Sequence, residues 1–559
     1  MGWPSTGTLA ACVRVRSLVA VVRSLLAFAA ADRLTSSLDT IFEEEPEMRK
    51  TLRKVVLIQP PAFSNNLRTD MNPNAPLGIA YIAATLERDG YEVKMLDAFI
   101  EGWDTQTRVS SEKLLVGMPY REIEEFIAAE KPGVVGVTSM FTSQRKNAHQ
   151  VASIAKRVDP EIQVILGGAH PTAAPESVLP DTNVDVIVLG EGDNVIVRLL
   201  QCLERRGPLT AIDGIGYRAA DGRPIVQHKT TEIENLDELP FPARHLLPME
   251  KYFAAGVRHG GYCTGAKATS MITSRGCQYR CNFCTAFKVF TRIPRMRSIE
   301  NVIAEIRELV TKYGVDEIFF EDDQFIAKQR HTEELLDGMA EFKLIFDTPN
   351  GVSSWLLTEE LITRMKKAGC YRINLAIESG SQDVLKNIIN KPVNLAKVPE
   401  LVQLIRKHGM EAGTFLVVGN IGQDRVETLG QVRESFRFAR RIRTRPHVSY
   451  LTAYPGSEVL RIAEEKGYLV PDFDWDDLTI VKQQLQTPEW TPEELRQVVE
   501  EERIKTQLWY WLTTPKELWA TALEYLTRDP LLGLQKLVRF VKAVVSLQTR
   551  GLLKPWGSF

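Results

Sequence analysis

The sequence predicts an α/β protein with an N-terminal doubly wound parallel-sheet (Rossmann-like) domain, a partial (β/α)6 barrel and a helical C-terminal region. Two observations predict the first two parts: short apolar runs alternate with helical segments from Lys54 to about residue 205, and a second such series begins at residue 266. We therefore expect an extension at 1–50, a sheet domain at 51–205, a connector at 206–265, a barrel at 266–475 and a helical region at 476–559.

The predicted strands of the first series are short apolar runs, YEVKMLD being the most polar of them, as is typical of a parallel sheet. They are KVVLIQPP, YEVKMLD, PGVVGVTSM, IQVILGG and VDVIVLGEGD. The connector contains a predicted hairpin, GIGYRAADGRPIVQH. The second series predicts strands at ATSMITSRG, VDEIFFE, FDTPNG, YRINLAIE, AGTFLVVGN and HVSYLTAYP, separated by helices near 298–313, 330–345, 357–368, 394–408 and 425–440. Barrels of this kind carry their chemistry at the carboxyl ends of the strands.

The composition excludes several classes of protein. The 559 residues carry 69 basic and 71 acidic side chains, so no overall field attracts nucleic acid. Seven cysteines are too few, and odd in number, for a disulfide framework, which predicts a reducing, cytoplasmic location. Within the first fifty residues, Arg23 interrupts the best apolar run for a signal peptide, and Met48 is a more natural domain start. That segment is interpreted as a non-functional extension or as an interfacial amphipathic segment.

Three of the cysteines form one array. SRGCQYRCNFCTAF places Cys277, Cys281 and Cys284 in a C-x3-C-x2-C spacing directly after the first barrel strand. Three thiolates on one loop can hold three irons of a 4Fe–4S cluster and leave the fourth iron open. Structural zinc is the alternative, but it needs four ligands and no fourth Cys or His follows at a suitable spacing. A trio of buried structural thiols is the third interpretation.

This loop, with Phe283 before its last cysteine, resembles the signature of the radical S-adenosylmethionine (radical SAM) superfamily. FFEDDQF, AIESGSQDVLKNIINK, GTFLVVGN and AYPGSEV resemble its later strand motifs, although NIGQD stands where many relatives have a Pro-Gly-Glu turn. The resemblance implies a 4Fe–4S cluster that cleaves S-adenosyl-L-methionine (SAM) to a 5′-deoxyadenosyl radical. It also implies cofactor binding by residues at strand ends, for which the candidates are Glu378, Ser379, Asp322 and Asp323. A solvated strand end or a helix cap is the alternative role for these acids.

The N-terminal series resembles the cobalamin-binding domain that precedes many radical SAM barrels, through LGGAHPTAAPE and VDVIVLGEGD. The resemblance implies that Gly167, Gly168, Gly190 and Gly192 let the backbone approach a large flat ligand, whereas ordinary turn glycines are the alternative. His170 does not fit the D-x-H-x-x-G motif whose histidine binds cobalt. We therefore expect cobalamin without a lower histidine ligand, and His170 as a residue that stabilises a loop or contacts the corrin edge.

Near the C-terminus, LLGLQKLVRFVKAVVSL predicts a basic amphipathic helix with Leu534, Leu537, Val541, Val544 and Val545 on one face. Such a helix can lie peripherally on the inner membrane face or pack on the barrel as a lid.

The function expected from these features is methylation of an unactivated carbon in a small-molecule, lipid or tetrapyrrole substrate, with electrons from a flavodoxin or ferredoxin and no nucleic-acid partner. Two alternatives stay open: a cobalamin-dependent oxidative cyclisation or rearrangement without methyl transfer, and a non-catalytic iron–sulfur or corrin-binding regulator.

Overall fold

The computed structural model describes residues 50–64, 71, 73–110, 113–258 and 261–514, together with 523, 527, 533–534, 537–538 and 541–542. Within Thr51–Cys202 and Pro208–Phe559, these residues form one unit. Its strands, in chain order, are β1 (Lys54–Gln59), β2 (Ala62–Ser64), β3 (Glu92–Asp97), β4 (Gln106–Arg108), β5 (Leu114–Val116), β6 (Val134–Thr138), β7 (Gln163–Gly167), β8 (Val186–Val188), β9 (Ile215–Arg218), β10 (Pro224–Gln227), β11 (Val257–Arg258), β12 (Gly261–Tyr262), β13 (Ala268–Met271), β14 (Ser274–Arg275), β15 (Arg295–Met296), β16 (Glu317–Phe320), β17 (Ile345–Asp347), β18 (Arg372–Glu378), β19 (Glu411–Val418) and β20 (Pro446–Tyr450).

The α-helices of the described residues connect and follow these strands. They are α1 (Leu77–Arg88), α2 (Ala98–Glu101), α3 (Tyr120–Glu130), α4 (Arg145–Val158), α5 (Ala169–Ala173), α6 (Pro175–Val178), α7 (Ile196–Glu204), α8 (Met249–Ala255), α9 (Ala286–Phe290), α10 (Ile299–Glu308), α11 (Gln329–Met339), α12 (Glu359–Lys367), α13 (Gln382–Val384), α14 (Val398–Lys407), α15 (Leu429–Arg441), α16 (Glu458–Lys466) and α17 (Pro492–Thr513). Two π-helical turns, Leu309–Tyr313 and Leu385–Ile389, extend α10 and α13.

The N-terminal sheet has the strand order β10-β9-β8-β7-β6-β1-β3. Strands β3, β1, β6, β7 and β8 are parallel, so the predicted doubly wound sheet is confirmed. Strand order reverses between β1 and β6, and ligands of such sheets bind in the crevice outside the carboxyl ends of the strands at that point. Residues Val55–Ile58 of β1 are all buried, because both faces of this strand are covered. The continuous apolar run at this point of the sequence therefore forms a strand.

The hairpin that the sequence predicts in the connector belongs to this sheet. β9 pairs antiparallel with β8, and β10 pairs antiparallel with β9. An uncovered edge strand exposes a row of unpaired backbone groups, and the hairpin covers that edge of β8. The sheet therefore continues to Gln227, beyond the last predicted βα unit.

The barrel contains six parallel strands in chain order, as predicted. β13, β16 and β17 form one ladder, and β18, β19 and β20 form another. Two isolated bridges, Phe346 to Cys370 and Val352 to Leu375, connect β17 to β18. The carboxyl ends of all six strands consequently lie at one end of a partial barrel, which places the loops after them together.

The C-terminal helix α17 follows the barrel, in agreement with the predicted helical region. A capping box between Thr491 and Glu494 fixes its first turn. It packs on α15, where Arg440 Nη1 lies 2.7 Å from a carboxylate oxygen of Glu502. Most of the predicted amphipathic helix at 531–547 lies outside the described residues. Leu534, Leu537 and Val541, which are described, are helical and exposed. Among the described residues, no helix is long and apolar enough to cross a membrane.

A substitution of Gly168 tests the close backbone packing at the carboxyl edge of the sheet. Its φ of 109° and ψ of −173° lie in a region that only glycine adopts readily, and an added Cβ would lie 2.8 Å from the carbonyl oxygen of Ser139. We expect Gly168→Ala to lower the free energy of unfolding by about 3 kcal/mol, measured by urea denaturation. The neighbouring Gly167→Ala is the matched control, because its nearest new contact is 4.0 Å away. Equal effects of the two substitutions would contradict this account.

Candidate active site

The cysteine loop, residues 276–285, leaves β14 and returns through α9 to β15, which pairs antiparallel with β14. Gly276 makes this return possible. Its φ is 93°, and an added Cβ would lie 2.8 Å from the carbonyl oxygens of both Phe290 and Ile293. A larger residue at this position would therefore push the loop away from α9.

Asn282, between Cys281 and Cys284, attaches the loop to the barrel. Its side-chain amide donates hydrogen bonds to the carbonyl oxygens of Ile388 and Ile421, each at 2.9 Å. The first carbonyl follows β18 and the second follows β19, so one buried side chain joins the loop to the ends of two strands. The cysteine loop therefore lies over the carboxyl end of the barrel.

The three thiols of the loop are partly buried and close enough to influence one another. Burial raises the pKa of the Cys281 thiol to about 11, and the neighbouring Cys284 and Cys277 raise it further, whereas the Lys391 ammonium opposes the rise. Burial likewise raises the pKa of Cys277 and of Cys284. A metal that binds such thiols displaces their protons.

Zinc and a 4Fe–4S cluster place different demands on the three thiols. Within the described part of the chain, no three His, Cys, Asp or Glu side chains are grouped closely enough to hold a single metal ion. A zinc site brings every sulfur within about 2.3 Å of one atom, whereas a 4Fe–4S cluster takes each thiolate on a different iron.

Glu378 and Ser379, predicted to bind the cofactor, lie at the end of β18. Glu378 has a φ of 61°, and its carboxylate accepts a hydrogen bond from Lys391 Nζ at 2.6 Å. A positive φ at a non-glycine residue is uncommon and is concentrated at functional sites. Ser379 is fully buried, and its hydroxyl lies 3.1 Å from that of Ser435. Because Lys391 also influences the cysteine thiols, the Glu378–Lys391 pair lies beside the cysteine loop.

Asp322 and Asp323 follow β16 and face the other side of the same loop. Asp322 is buried, and its carboxylate accepts hydrogen bonds from the hydroxyls of Thr273 at 2.7 Å and Ser274 at 2.5 Å. Asp323 accepts one from the Gly276 backbone N–H at 3.1 Å. Burial raises the pKa of Asp323 to about 6. Both acids therefore position the chain that leads into the cysteine loop, and direct cofactor binding by them stays a prediction.

The glycines at the carboxyl edge of the N-terminal sheet have protein neighbours. A Cβ added to Gly192 would lie 2.9 Å from Ile82 Cδ1, and one added to Gly190 would lie 3.3 Å from Lys229 Cδ and 3.4 Å from the carbonyl oxygen of Val289. Close packing against protein thus explains Gly190 and Gly192, as it explains Gly168. Gly167 alone has no protein atom nearer than 4.0 Å to its added Cβ. Corrin contact by these four residues remains a prediction.

His170 stabilises a loop, which is one of the two roles that the sequence suggests. It is 1% exposed, with Nδ1 3.2 Å from the Thr142 hydroxyl and Nε2 3.3 Å from the Ser177 hydroxyl. The ring also meets Trp475 edge to face, with centroids 6.0 Å apart. Burial lowers the pKa of His170 to about 4. Both ring nitrogens of His170 have hydroxyl partners, which fits the loop-stabilising role, and contact of His170 with the corrin edge stays a prediction.

Two exposed apolar side chains lie where the strand order of the sheet reverses. Met140 and Phe141 follow β6 at the point where strand order reverses, and they are 50% and 63% exposed. Neighbouring large apolar side chains that remain in water are typical of a surface that another molecule covers. The crevice of the sheet therefore offers an apolar edge to a flat ligand.

Sequence reasoning missed several of these residues. Asn282 and Lys391 lie inside the motifs that carry the family resemblance, but their spacing says nothing about which carbonyls or carboxylates they meet. Met140 and Phe141 extend the apolar run of β6, so the sequence pattern does not separate them from the core. Only the strand order shows that they end at the crevice.

Asn282 provides the first test of this site. Asn282→Ala removes two hydrogen bonds and leaves two buried carbonyls unpaired, so we expect a loss of about 2 kcal/mol in stability and less iron bound after reconstitution. Iron per chain and a thermal melt measure the two effects. Gln278→Ala, an exposed position of the same loop, is the control and should change neither. Full iron loading of the Asn282 variant would contradict the attachment.

His170 provides a pH test. Its pKa is lower in the folded chain than in the unfolded chain, so the unfolded state binds more protons between about pH 4 and 6.5. The stability that neutral His170 supports is complete above pH 6.5 and is lost as the pH falls toward 4. We expect about 2 kcal/mol of this loss between pH 7 and pH 5.

Urea denaturation across this pH range checks the His170 prediction. His170→Gln should flatten the profile relative to the parent chain, whereas substitution of the exposed His228 by Gln should not. Parallel profiles for the parent chain and His170→Gln would refute the assignment.

Comparison with known proteins places this arrangement in a family. Residues 68–200 match the B12 binding domain model, and residues 271–439 match the Radical SAM superfamily model. The chain is 33% identical over 460 residues to cytidylyl-2-hydroxyethylphosphonate methyltransferase of Streptomyces wedmorensis, covering 77% of this chain and 84% of that protein. It is 27% identical over 414 residues to anaerobic magnesium-protoporphyrin IX monomethyl ester cyclase of Rubrivivax gelatinosus, covering 73% and 69%.

A solved structure agrees with the fold. The cobalamin-dependent S-adenosylmethionine radical enzyme OxsB, with aqua-cobalamin and S-adenosylmethionine bound, superposes with a TM-score of 0.63 at 13% identity over 90% of this chain and 81% of that one. The matched domains carry a 4Fe–4S cluster, SAM and cobalamin as cofactors. The chain belongs to the radical SAM enzymes with an N-terminal B12-binding domain.

Proposed function

We propose that the chain methylates an unactivated carbon of a small-molecule substrate. The observation that carries this proposal is the attachment of the cysteine loop to the carboxyl edge of the N-terminal sheet. α9, which follows the three cysteines, contacts α5 at that edge. A Cβ on Gly190 of the sheet would approach the backbone carbonyl of Val289 in α9. The segments proposed to hold the cluster and the corrin are in contact, which supports a transfer between the two cofactors.

The chemistry divides between cofactors and chain. When bound, the cluster and SAM supply a carbon radical on the substrate and cobalamin supplies the methyl group. The chain contributes position: Gly276 and Asn282 hold the cysteine loop, and Glu378 with Lys391 places opposite charges at the end of β18. The apolar Met140 and Phe141 support the flat face of the corrin and keep water from it.

The named relatives favour methyl transfer over ring closure. The relative at 33% identity is named as a methyltransferase, whereas the cyclase of Rubrivivax gelatinosus is 27% identical. We therefore rank oxidative cyclisation second. A non-catalytic regulator is disfavoured, because three cysteines leave one iron without a protein ligand.

Two further partners belong to this proposal. A one-electron reductant such as a flavodoxin or ferredoxin serves the cluster. Peripheral contact of the C-terminal region with the inner membrane face is supported by the exposure of Leu534, Leu537 and Val541 on one side of the predicted amphipathic helix. Lipid vesicles of anionic composition, sedimented with the protein, test that contact.

The decisive experiment measures both products of SAM. The protein is reconstituted anaerobically with iron, sulfide, hydroxocobalamin and a reductant, and is given methyl-labelled SAM with cytidylyl-2-hydroxyethylphosphonate as the probe substrate. Methyl transfer uses one SAM for the radical and another as methyl donor, so we expect 5′-deoxyadenosine and S-adenosylhomocysteine together. 5′-Deoxyadenosine without S-adenosylhomocysteine would contradict methyl transfer and favour cyclisation.

Cys281→Ala checks the site itself. We expect it to abolish formation of 5′-deoxyadenosine while cobalamin, followed by its absorbance, still binds, because the thiol lies in the barrel and the corrin site lies in the sheet. Cys202→Ala is the matched control, since Cys202 lies outside the cysteine loop. Retained SAM cleavage in the Cys281 variant would overturn the ligand assignment.

A further inference from the structure

A buried group of four charged side chains joins the N-terminal sheet to the cysteine loop. Arg275 Nη1 lies 3.0 Å from Glu191 Oε1 and 2.8 Å from Asp193 Oδ2. Arg295 Nη1 lies 2.8 Å from Glu191 Oε2. Each of the four side chains is more than nine-tenths buried. The two acids follow β8 at the carboxyl edge of the sheet, and the two arginines form a cross-strand pair of β14 and β15.

The geometry of the group depends on all four members. Arg275 and Arg295 are direct neighbours in the β14–β15 ladder, so their like charges repel unless acids lie between them. The Glu191 carboxylate accepts hydrogen bonds from both arginines, and the Asp193 carboxylate accepts hydrogen bonds from both terminal nitrogens of Arg275. The two acids and two arginines balance in charge. Buried charges that lose a partner are unstable, so the sheet and the loop are held together as one unit.

Arg275 also contacts two aromatic rings. Its guanidinium carbon lies 5.2 Å from the ring centroid of Tyr81 and 5.3 Å from that of Phe290. Tyr81 belongs to α1 of the N-terminal domain, whereas Phe290 ends the helix that follows the cysteines. The planar fork is therefore fixed in orientation as well as in distance, which a lysine at this position would not reproduce.

We propose that Arg275, paired with Glu191 and Asp193, is a positioning residue that sets the distance between the corrin and the iron–sulfur cluster. Only Gly276 separates Arg275 from Cys277 in the chain. The contacts of the Arg275 side chain with the sheet therefore restrict the position of Cys277, the first cluster ligand. The inference rests on the proposed function in that both cofactors must act on one substrate carbon. An error of about 1 Å in such a geometry can lower a rate 100-fold.

The test uses Asp193→Asn and Arg275→Gln in the fully reconstituted protein. The first readout is the magnetic broadening that the reduced cluster imposes on the electron paramagnetic resonance signal of bound cob(II)alamin, which weakens steeply as the two centres separate. We expect weaker broadening in both variants with iron and cobalamin contents unchanged. We also expect the ratio of S-adenosylhomocysteine to 5′-deoxyadenosine to fall by about tenfold, because radical formation continues without a correctly placed corrin.

Controls separate position from stability. Arg440→Gln breaks the ion pair with Glu502 between α15 and α17, outside the Arg275 group and the cysteine loop, and should lower the melting temperature without changing the broadening. Asp193→Asn keeps the shape of the side chain, and residue 193 belongs to the sheet domain rather than to the cysteine loop. This variant therefore tests the proposal even if Arg275→Gln fails to load a cluster. Arg275→Lys keeps the charge and should recover only part of the broadening.

The outcomes distinguish this inference from the proposed function. Broadening and product ratio both unchanged in Asp193→Asn would overturn the positioning role. Absence of S-adenosylhomocysteine from the parent protein would overturn methyl transfer. The positioning role would still be decided in that case, because the broadening is measured without any substrate.

Discussion

The rest of the structure depends on one interaction, the neutralisation of Arg275 and Arg295 by Glu191 and Asp193 out of contact with water. Charges buried without partners are strongly unfavourable, so neither the β8 loop nor the β14–β15 ladder is well suited to stand alone. The two cofactor domains thus complete each other. The loop that carries the cysteines is consequently held to the carboxyl edge of the sheet, where we propose that the corrin binds.

The same logic applies inside the barrel, with hydrogen bonds in place of charges. Asn282 satisfies carbonyl groups that follow β18 and β19, and Asp322 collects donors from Thr273 and Ser274. Each of these contacts joins segments far apart in the chain. The cysteine loop is therefore in its place only when the barrel strands have closed, so cluster binding and barrel folding are linked.

Much of this architecture could be predicted from the sequence, because periodicity and motif spacing are local. The alternating apolar runs predict both sheets, and C-x3-C-x2-C predicts the cluster loop. Contacts between distant residues were not accessible. The sequence does not show that Gly190 lies near the Val289 carbonyl and Gly192 near Ile82, and corrin contact by these glycines stays a prediction. Glu191 and Asp193 of the GEGD segment pair with Arg295 and Arg275, which lie 104 and 82 residues further along the chain. No local sequence pattern reveals partners at such a distance.

A second set of contacts joins the N-terminal domain to the segment that follows the barrel. Asp476 of the segment after the barrel pairs with Arg145 at 2.5 Å, and Asp477 pairs with Lys113 at 2.9 Å. Trp475 meets the buried ring of His170 in the same place. The crevice is thus attached to barrel-side segments at the loop after β6 and at the loop after β8. Two attachments at different strand ends, β6 and β8, oppose rotation as well as separation of the sheet and the barrel, and a fixed relation between the two is what directing a methyl group to a single carbon requires.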